Sequence, residues 1–302
     1  MSRIDEALAR QRRETQRSDL ASVPASGLNS LSTPVASFTD EEEAVPALSS
    51  VARVEPHPKH NGHSAAPLID RVDERVSEKL VIGHTMPQSV EQYRRLGATL
   101  HQAQESRGVK TLLIVSAVAS EGKTLTASNL ALTMSESYRQ DTLLIDADLR
   151  RPSVDQVFKL SKGAGLVEGL KSPQQRQIAV RRVSEFLSIL PAGIPAADPM
   201  EALTSDRMQQ LVREAARTFD WVIIDTPPVA LLPDANLLAS LADGALLVVR
   251  AGATPYNLVK RAIDAVGRER LLGVILNGSD PTLMEHSHYF YGYYHRSGGP
   301  KS

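Results

Sequence analysis

Residues 111–124 constrain the fold of this chain more than any other part of its sequence. An apolar run over 111–115 leads into the stretch SAVASEGKT over 116–124, and a helical pattern follows over 125–138. A buried strand, a loop that ends in Gly-Lys-Thr and a helix, in this order, form the structural context of a P-loop. Ala117 departs from the usual pattern because it stands where the first glycine normally lies.

A P-loop binds phosphate through the backbone N–H groups of the loop and of the following helix N-terminus. We therefore expect Lys123 to reach the β- and γ-phosphates of ATP, and the Thr124 hydroxyl to bind Mg²⁺. Gly122 suits its position because a Cβ there would keep the backbone away from the phosphate. The candidate nucleotide-binding residues of the loop are Ala119, Ser120, Glu121, Gly122, Lys123, Thr124 and Leu125.

The rest of the central region alternates short Val/Ile/Leu runs with helical patterns. Apolar runs cover 111–116, 142–145, 186–190, 221–224, 245–249 and 273–276, and helical stretches include 125–138, 206–219 and 257–268. Runs without alternation are typical of strands buried on both faces. The order predicts an α/β fold of the P-loop NTPase type, with a mainly parallel sheet and helices on both faces. Ligands of such folds bind beyond the carboxyl ends of the strands.

Two of the later strands are predicted to end in carboxylates. The run LLIDADLRRP places Asp146 and Asp148 on alternate positions after a buried stretch, and VIIDTPP places Asp225 at another strand end. Acidic residues at such positions often serve only as helix caps or turn formers. Three of them after one P-loop favour a functional site, in which Asp225 is placed to hold Mg²⁺ through water. Arg150 is equally suited to stabilising phosphoryl charge and to a surface ion pair.

These motifs resemble the deviant-Walker-motif ATPases and, within them, the bacterial tyrosine kinases of polysaccharide export. The resemblance covers about residues 80–280. The residues that carry it are Glu121, Gly122, Asp146, Asp148, Arg150, Asp225 and Asp234. In the related partitioning and division-site ATPases, a signature lysine takes the second P-loop position, which is Val118 here.

The resemblance implies an ATP- and Mg²⁺-dependent tyrosine kinase. It makes Asp146 the candidate general base for a tyrosine hydroxyl, while Asp148 and Asp225 organise Mg²⁺. Because a phenol has a pKa of about 10, a carboxylate that accepts its proton helps phosphoryl transfer. The resemblance also makes Asn277 a candidate contact for adenine, and the alternative for Asn277 is an ordinary turn residue.

The run EQYRRLG over 91–97 lies on the helix predicted before the first core strand. The family uses the pattern ExxRxxR here to bind a neighbouring subunit in a ring. Glu91 and Arg94 match this pattern, and Gly97 replaces the second arginine. The resemblance therefore implies a homo-oligomer through Glu91 and Arg94, and the alternative is an intrahelical ion pair.

Four of the seven tyrosines of the chain lie close together near its end, at Tyr289, Tyr291, Tyr293 and Tyr294. They follow the last predicted core strand and precede SGGPKS, as expected of a flexible substrate tail over 281–302. By resemblance these tyrosines are phosphoacceptors that a neighbouring subunit phosphorylates. A docked strand and a partner-binding patch are the alternatives.

The organisation before residue 80 is predicted from composition. Helix-forming residues over 1–20 favour a possible short helix, and the Ser-, Pro- and Ala-rich stretch 21–79 is typical of a disordered linker. The kinase or ATPase domain is therefore predicted to span 80–280.

The formal net charge of −1 provides no broad attraction to nucleic acid, and no such partner is predicted. The absence of cysteine excludes disulfides and thiolate metal sites and suits the cytoplasm. No apolar run approaches the about 18 residues of a membrane span. We therefore expect a cytoplasmic chain that a partner recruits to the inner membrane face.

The resemblance identifies that partner as a separate membrane-spanning activator of the polysaccharide co-polymerase type, and adds a tyrosine phosphatase. The implied role is regulation of exopolysaccharide synthesis or export through autophosphorylation. The alternative function is a P-loop ATPase switch without kinase activity, which recruits a partner through nucleotide-dependent dimerisation.

Overall fold

The computed structural model describes residues 72–82, 87–171, 180–194, 199–229 and 239–279. The possible helix over 1–20, most of the linker, Asp234 and the tail tyrosines lie outside these described residues.

Within the described residues, seven strands form one sheet. They are β1 (Thr111–Ser116), β2 (Thr142–Asp146), β3 (Arg181–Arg182), β4 (Leu187–Leu190), β5 (Trp221–Asp225), β6 (Gly244–Arg250) and β7 (Leu271–Asn277). Their spatial order is β3-β4-β2-β5-β1-β6-β7. All neighbours pair in parallel except β3 and β4, which are antiparallel. The predicted α/β fold with a mainly parallel sheet is thus confirmed, and β3 is an edge strand that the apolar runs did not indicate.

The described helices are α1 (Glu74–Ser77), α2 (Pro87–Arg107), α3 (Lys123–Leu132), α4 (Val154–Val157), α5 (Leu166–Lys171), α6 (Pro199–Leu203), α7 (Asp206–Thr218) and α8 (Tyr256–Val266). A π-helical turn, Thr133–Ser137, continues α3, so the helix predicted over 125–138 begins two residues early and changes its hydrogen bonding near its end. Of the helices in the described segments, none combines the length and the apolar character that crossing a bilayer requires.

Each face of the sheet carries its own hydrophobic cluster. Along β1, Leu113 and Val115 join one cluster, whereas Leu112 and Ile114 join the other. Successive side chains of a strand point to opposite faces, so the two clusters are the two faces of the sheet. Helix α3 packs on the second face, and α7 and α8 pack on the first. Helices therefore cover both faces, as predicted.

Residues 72–79, which composition assigned to the linker, pack onto the core. Val72 is buried. The Asn129 side chain of α3 accepts a hydrogen bond from the Val81 N–H and donates one to the Lys79 carbonyl, both at 2.9 Å. The structured part of the chain therefore begins before residue 80. Composition could not reveal this, because a single helical turn is held by contacts to distant residues.

Candidate functional site

The P-loop after β1 and the predicted carboxylates meet at one edge of the sheet. Asp146 ends β2 and Asp225 ends β5, and the two residues are partners in the parallel register of these strands. In the same register, Ile114 of β1 pairs with Asp225. Because the carboxyl ends of parallel strands lie together, the loop and both carboxylates share one site.

Asp225 holds the first two residues of α3. The Lys123 Nζ lies 2.5 Å from Asp225 Oδ1 and 3.7 Å from Asp148 Oδ2. The Thr124 hydroxyl donates to Asp225 Oδ2 at 2.7 Å. Lys123 is 7% exposed and Asp225 is fully buried, so little water screens the ion pair. The structure thus brings together the predicted phosphate-binding lysine, the hydroxyl and two carboxylates.

Asp146 is buried and its carboxylate accepts three backbone hydrogen bonds. Oδ1 accepts from the Asp148 N–H at 3.1 Å, and Oδ2 accepts from the N–H groups of Ser153 and Val154, both at 3.0 Å. Burial, and next the charge of Asp225, raise the pKa of Asp146 to about 7. A carboxylate offers about four acceptor positions, so three bonds leave one position for a proton or a ligand.

The remaining charged residues of the site differ in environment. Burial raises the pKa of Asp225, and the Lys123 ammonium with the hydrogen bonds from Lys123 and Thr124 opposes that rise. Asp148 is buried, with 8% exposure, and accepts a hydrogen bond from the Arg151 N–H at 3.1 Å. Arg150 is exposed beside it. The site therefore holds three carboxylates around one buried ammonium.

The backbone of the P-loop explains both its glycine and its departure from the usual pattern. Ser120 and Gly122 have positive φ values of 67° and 89°, whereas Ala117 is not among the described residues with positive φ. Ala117 is buried in the core, where no glycine is required. A Cβ at Gly122 would collide with the side-chain amide of Asn277. Gly122 is therefore needed for close packing as well as for its left-handed conformation.

Side chains from the ends of β6 and β7 hold the loop in place. The buried Glu121 carboxylate accepts from the Val118 N–H at 2.8 Å and from the Thr254 hydroxyl. The Asn277 amide donates to the Glu121 carbonyl at 2.8 Å, and the Arg250 guanidinium donates to the Ser120 carbonyl at 3.3 Å.

Thr254 was not predicted as a site residue. It lies in a loop about 130 positions from Glu121, with no local pattern to mark it. Ser153 was likewise not predicted, although its hydroxyl lies 3.2 Å from the Thr124 hydroxyl.

A cleft of about 750 Å³ opens beside the loop, between α2 and the ends of β6 and β7. Its walls include Tyr93, Leu125, Arg250 and Asn277. Burial raises the pKa of Tyr93, and hydrogen bonds between its hydroxyl and side chains of α3 oppose that rise. The structure thus places Asn277 both at the P-loop backbone and in the wall of a cleft large enough for a nucleoside.

The predicted assembly motif on α2 shows a different pairing from the one expected. Glu91 accepts from the Arg95 guanidinium at 3.0 Å, an exposed pair one helical turn apart, while the Arg94 carbonyl accepts from the Tyr138 hydroxyl at 2.8 Å. A Cβ at Gly97 would lie 2.7 Å from the Tyr138 ring. An intrahelical ion pair is therefore present, made by Arg95, and Tyr138 occupies the space that a larger residue 97 would need.

The side chains around Lys123 fit a magnesium ion. Thr124, Asp148 and Asp225 present only oxygen atoms, which are the ligands that Mg²⁺ prefers. Burial raises the pKa values of Asp146 and Asp225, and the Lys123 ammonium opposes both rises. A divalent cation together with nucleotide phosphates suits this donor set.

Several known proteins similar to this chain are tyrosine kinases. No family model matches the chain. Tyrosine-protein kinase YwqD of Bacillus subtilis is 38% identical over 222 residues, which are 72% of this chain and 92% of that protein. Succinoglycan biosynthesis transport protein ExoP of Rhizobium meliloti is 36% identical over 177 residues, which are 57% of this chain and 22% of ExoP.

The fold has a solved counterpart of the same kind. The kinase domain of Escherichia coli tyrosine kinase ETK superposes with a TM-score of 0.60 at 27% identity, covering 82% of this chain and 88% of that structure. The match to YwqD spans nearly the whole of that kinase. On this sequence identity and this fold, the chain belongs to the bacterial tyrosine kinases.

Proposed function

We propose that one copy of this kinase transfers the γ-phosphoryl group of ATP to the tyrosine cluster of a neighbouring copy of the chain. The cluster consists of Tyr289, Tyr291, Tyr293 and Tyr294. The observation that carries this proposal is the convergence of Lys123, Thr124 and Asp225 at the sheet edge where Asp146 also lies. Tyrosines are the acceptors of a tyrosine kinase by definition, and this cluster holds four of the seven in the chain.

ATP would lie with its phosphates on the P-loop and its nucleoside in the 750 Å³ cleft. The backbone of residues 119–125 and the Lys123 ammonium would contact the phosphates. Asn277, in the wall of the cleft, would contact adenine. Arg250 lines the same cleft and donates a hydrogen bond to the Ser120 carbonyl, so it fixes the position of the P-loop relative to the cleft.

Thr124, Asp148 and Asp225 would hold Mg²⁺, which when bound offsets the negative charge of the phosphates. Lys123 would then exchange its contact with Asp225 for the phosphates, because its ammonium is the buried cation of the site. Arg150, exposed at the rim, would add positive charge near the transferred group.

The chemical step forms a bond between the tyrosine oxygen and the γ-phosphorus and breaks the bond from that phosphorus to the β,γ-bridging oxygen. ADP leaves with the electron pair of the broken bond. The phenolic proton passes to the Asp146 carboxylate, which has one acceptor position left and a pKa raised to about 7. A base with a pKa near the ambient pH accepts a proton readily and releases it again.

The polypeptide partner in this proposal is a membrane-spanning activator of the polysaccharide co-polymerase type, which would recruit the kinase to the inner membrane face. ExoP, named for succinoglycan biosynthesis and transport, supports this because the region similar to this chain is only 22% of its length. We propose that the kinase regulates exopolysaccharide synthesis or export. Glu91 and Arg94 would contribute to a homo-oligomer. A tyrosine phosphatase would remove the phosphate groups from the tail.

The test mixes two variants of the full chain. Lys123→Met removes the phosphate-binding ammonium and keeps the tail, whereas the second variant keeps the site and has phenylalanine at the four tail tyrosines. Phosphate on the tail of the Lys123→Met chain, detected by mass spectrometry, supports transfer between copies. Wild-type protein that gains no tail phosphate with Mg-ATP and an activator would instead indicate an ATPase switch.

A further inference from the structure

A second cavity lies on the other side of the carboxylates from the nucleotide cleft. This groove, of about 340 Å³, is lined in part by Pro152, Lys162, Pro191, Gly193 and Ile194. Pro191 directly follows β4, whose last residue pairs in register with the last but one residue of β2. The groove is therefore at the carboxyl edge of the sheet, next to the strand that ends in Asp146.

The two cavities lie on opposite sides of the proposed site of transfer. The nucleotide cleft is walled by the ends of β6 and β7, and the groove by the chain that follows β2 and β4. In the sheet order, β1 and β5 lie between them, with the P-loop and Asp225 at their ends. Phosphoryl transfer is in line, so the acceptor enters opposite the leaving group. If ATP occupies the cleft, the acceptor side is the side of the groove.

Hydrogen bonds hold the walls of the groove in place. The Glu168 carboxylate accepts from the Gly165 N–H at 2.7 Å and from the Ile194 N–H at 3.0 Å. Gly193 has a φ of 87°, and a Cβ there would collide with the Glu168 carboxylate. The Ile194 side chain is 68% exposed to solvent, which is a large exposed fraction for an isoleucine. Its backbone N–H is held by the hydrogen bond to Glu168.

We propose that this groove is the docking site for the tyrosine-bearing segment 289–294, and that Ile194 and the two prolines contact its aromatic rings. The inference rests on the proposed function and adds where the acceptor binds. The groove has a mixed lining, which suits a phenol because a phenol is apolar on its faces and polar at its tip. The apolar residues are Pro152, Pro191, Ala192 and Ile194, and the polar ones are Asp155, Gln156, Ser161 and Lys162. Segment 289–294 offers five aromatic rings in six positions, the four tyrosines and Phe290.

The length of chain after β7 permits this contact. Tyr289 is ten residues beyond Ser279, the last described residue, and ten residues extend to roughly 33–36 Å. The groove lies between four and five strands away from β7, which is roughly 20 Å at the usual strand spacing. The segment therefore reaches a groove at this edge, on its own copy or on a neighbour.

The test measures binding separately from catalysis. The probe is a fluorescein-labelled peptide of residues 285–296 with its tyrosines replaced by phenylalanine, titrated with the full chain in Mg-ADP. The variants are Ile194→Asp, the conservative Ile194→Leu, and the control Val274→Asp. Val274 is an apolar side chain on β7 with 52% exposure that does not line the nucleotide cleft. Neither Ile194 nor Val274 is buried, so all three variants are expected to fold.

We expect Ile194→Asp to weaken peptide binding by about tenfold or more, with Ile194→Leu and Val274→Asp within about twofold of wild type. Equal affinities for all four proteins would overturn the groove assignment, as would an equal loss in Val274→Asp. With the native peptide and Mg-ATP, Ile194→Asp should raise the KM for peptide and leave the KM for ATP unchanged. Peptide binding that Ile194→Asp weakens, without any phosphoryl transfer, would contradict the proposed function but would still support the docking site.

Discussion

Asp146 and Asp225 lie side by side as register partners at the carboxyl ends of the adjacent parallel strands β2 and β5. Both are fully buried, and Lys123 is the buried cation beside them. Two carboxylates in a poorly solvated site repel each other, which raises the pKa of at least one of them. The site is therefore prepared to accept a proton or additional cations, and several consequences can be measured.

The first prediction concerns stability against pH without nucleotide. The pKa of Asp146 is raised from 3.8 to about 7, so between these values the folded chain retains a proton that the unfolded chain has lost. The free energy of unfolding should therefore fall as pH rises from about 4 to about 7, by at most about 1.4 kcal/mol per pH unit for one group. Urea unfolding at several pH values measures this slope.

Asp146→Asn should flatten the slope, and the control Asp264→Asn, at an exposed position on α8, should leave it as in wild type. An equal slope in the wild-type protein and in Asp146→Asn would contradict the raised pKa of Asp146.

The second prediction separates the roles of the two carboxylates. Asp225→Asn should mainly raise the Mg²⁺ concentration required for activity, because Asp225 contacts both Lys123 and Thr124. Asp146→Asn should lower kcat while nucleotide still binds, because it removes the proposed proton acceptor. Initial rates across Mg²⁺ and ATP concentrations distinguish the two. A loss of nucleotide affinity alone in both variants, with unchanged kcat, would show that Asp146 is not the base.

The third prediction concerns Lys123. Lys123→Met removes the ammonium 2.5 Å from Asp225 and should weaken Mg-ATP binding by about tenfold or more, because the charge-assisted contacts to the phosphates are lost. Isothermal titration calorimetry measures the affinity, and circular dichroism checks the fold. A folded variant that binds Mg-ATP as wild type does would remove Lys123 from the nucleotide site.

The fourth prediction tests the support of the P-loop by the chain after β6. Thr254→Val keeps the shape of the side chain and leaves one oxygen of the buried Glu121 without its hydroxyl partner. An unsatisfied buried acceptor costs about 1–3 kcal/mol, so the KM for ATP should rise severalfold or the loop should lose stability. A double-mutant cycle with Glu121→Gln should show coupling between these two positions. Additive effects would show that this contact does not contribute to the function of the loop.

The fifth prediction concerns assembly. Gly97→Arg alone should destabilise the fold, because a side chain at residue 97 meets the Tyr138 ring. Combined with Tyr138→Ala, it would have room and would complete the ExxRxxR pattern with Glu91 and Arg94. We expect the double variant to self-associate more strongly than wild type in multi-angle light scattering. Tyr138→Ala alone is the control, and equal association in the control and the double variant would argue against this motif.

Local patterns in the sequence were sufficient to predict six of the seven described strands, the P-loop and the carboxylates near strand ends, whereas β3 was not predicted. Strand β1 has the predicted bounds, and the helix predicted over 206–219 ends one residue early, at Thr218. These features are local, because a buried parallel strand is a continuous apolar run and a P-loop is a contiguous stretch. The fold class and the candidate site residues Lys123, Asp146 and Asp225 follow from such runs.

Only the tertiary structure determined which of these elements are in contact with each other. That Thr254 supports Glu121, that Asn277 covers Gly122 and that Tyr138 closes the space at Gly97 all depend on contacts between residues far apart in the chain. A pattern with a period of two or of 3.6 residues states which face of an element is buried, but not which element covers that face. The pairing of Asp146 with Asp225 likewise required the strand order, which sets the raised pKa values and so the chemistry of the site.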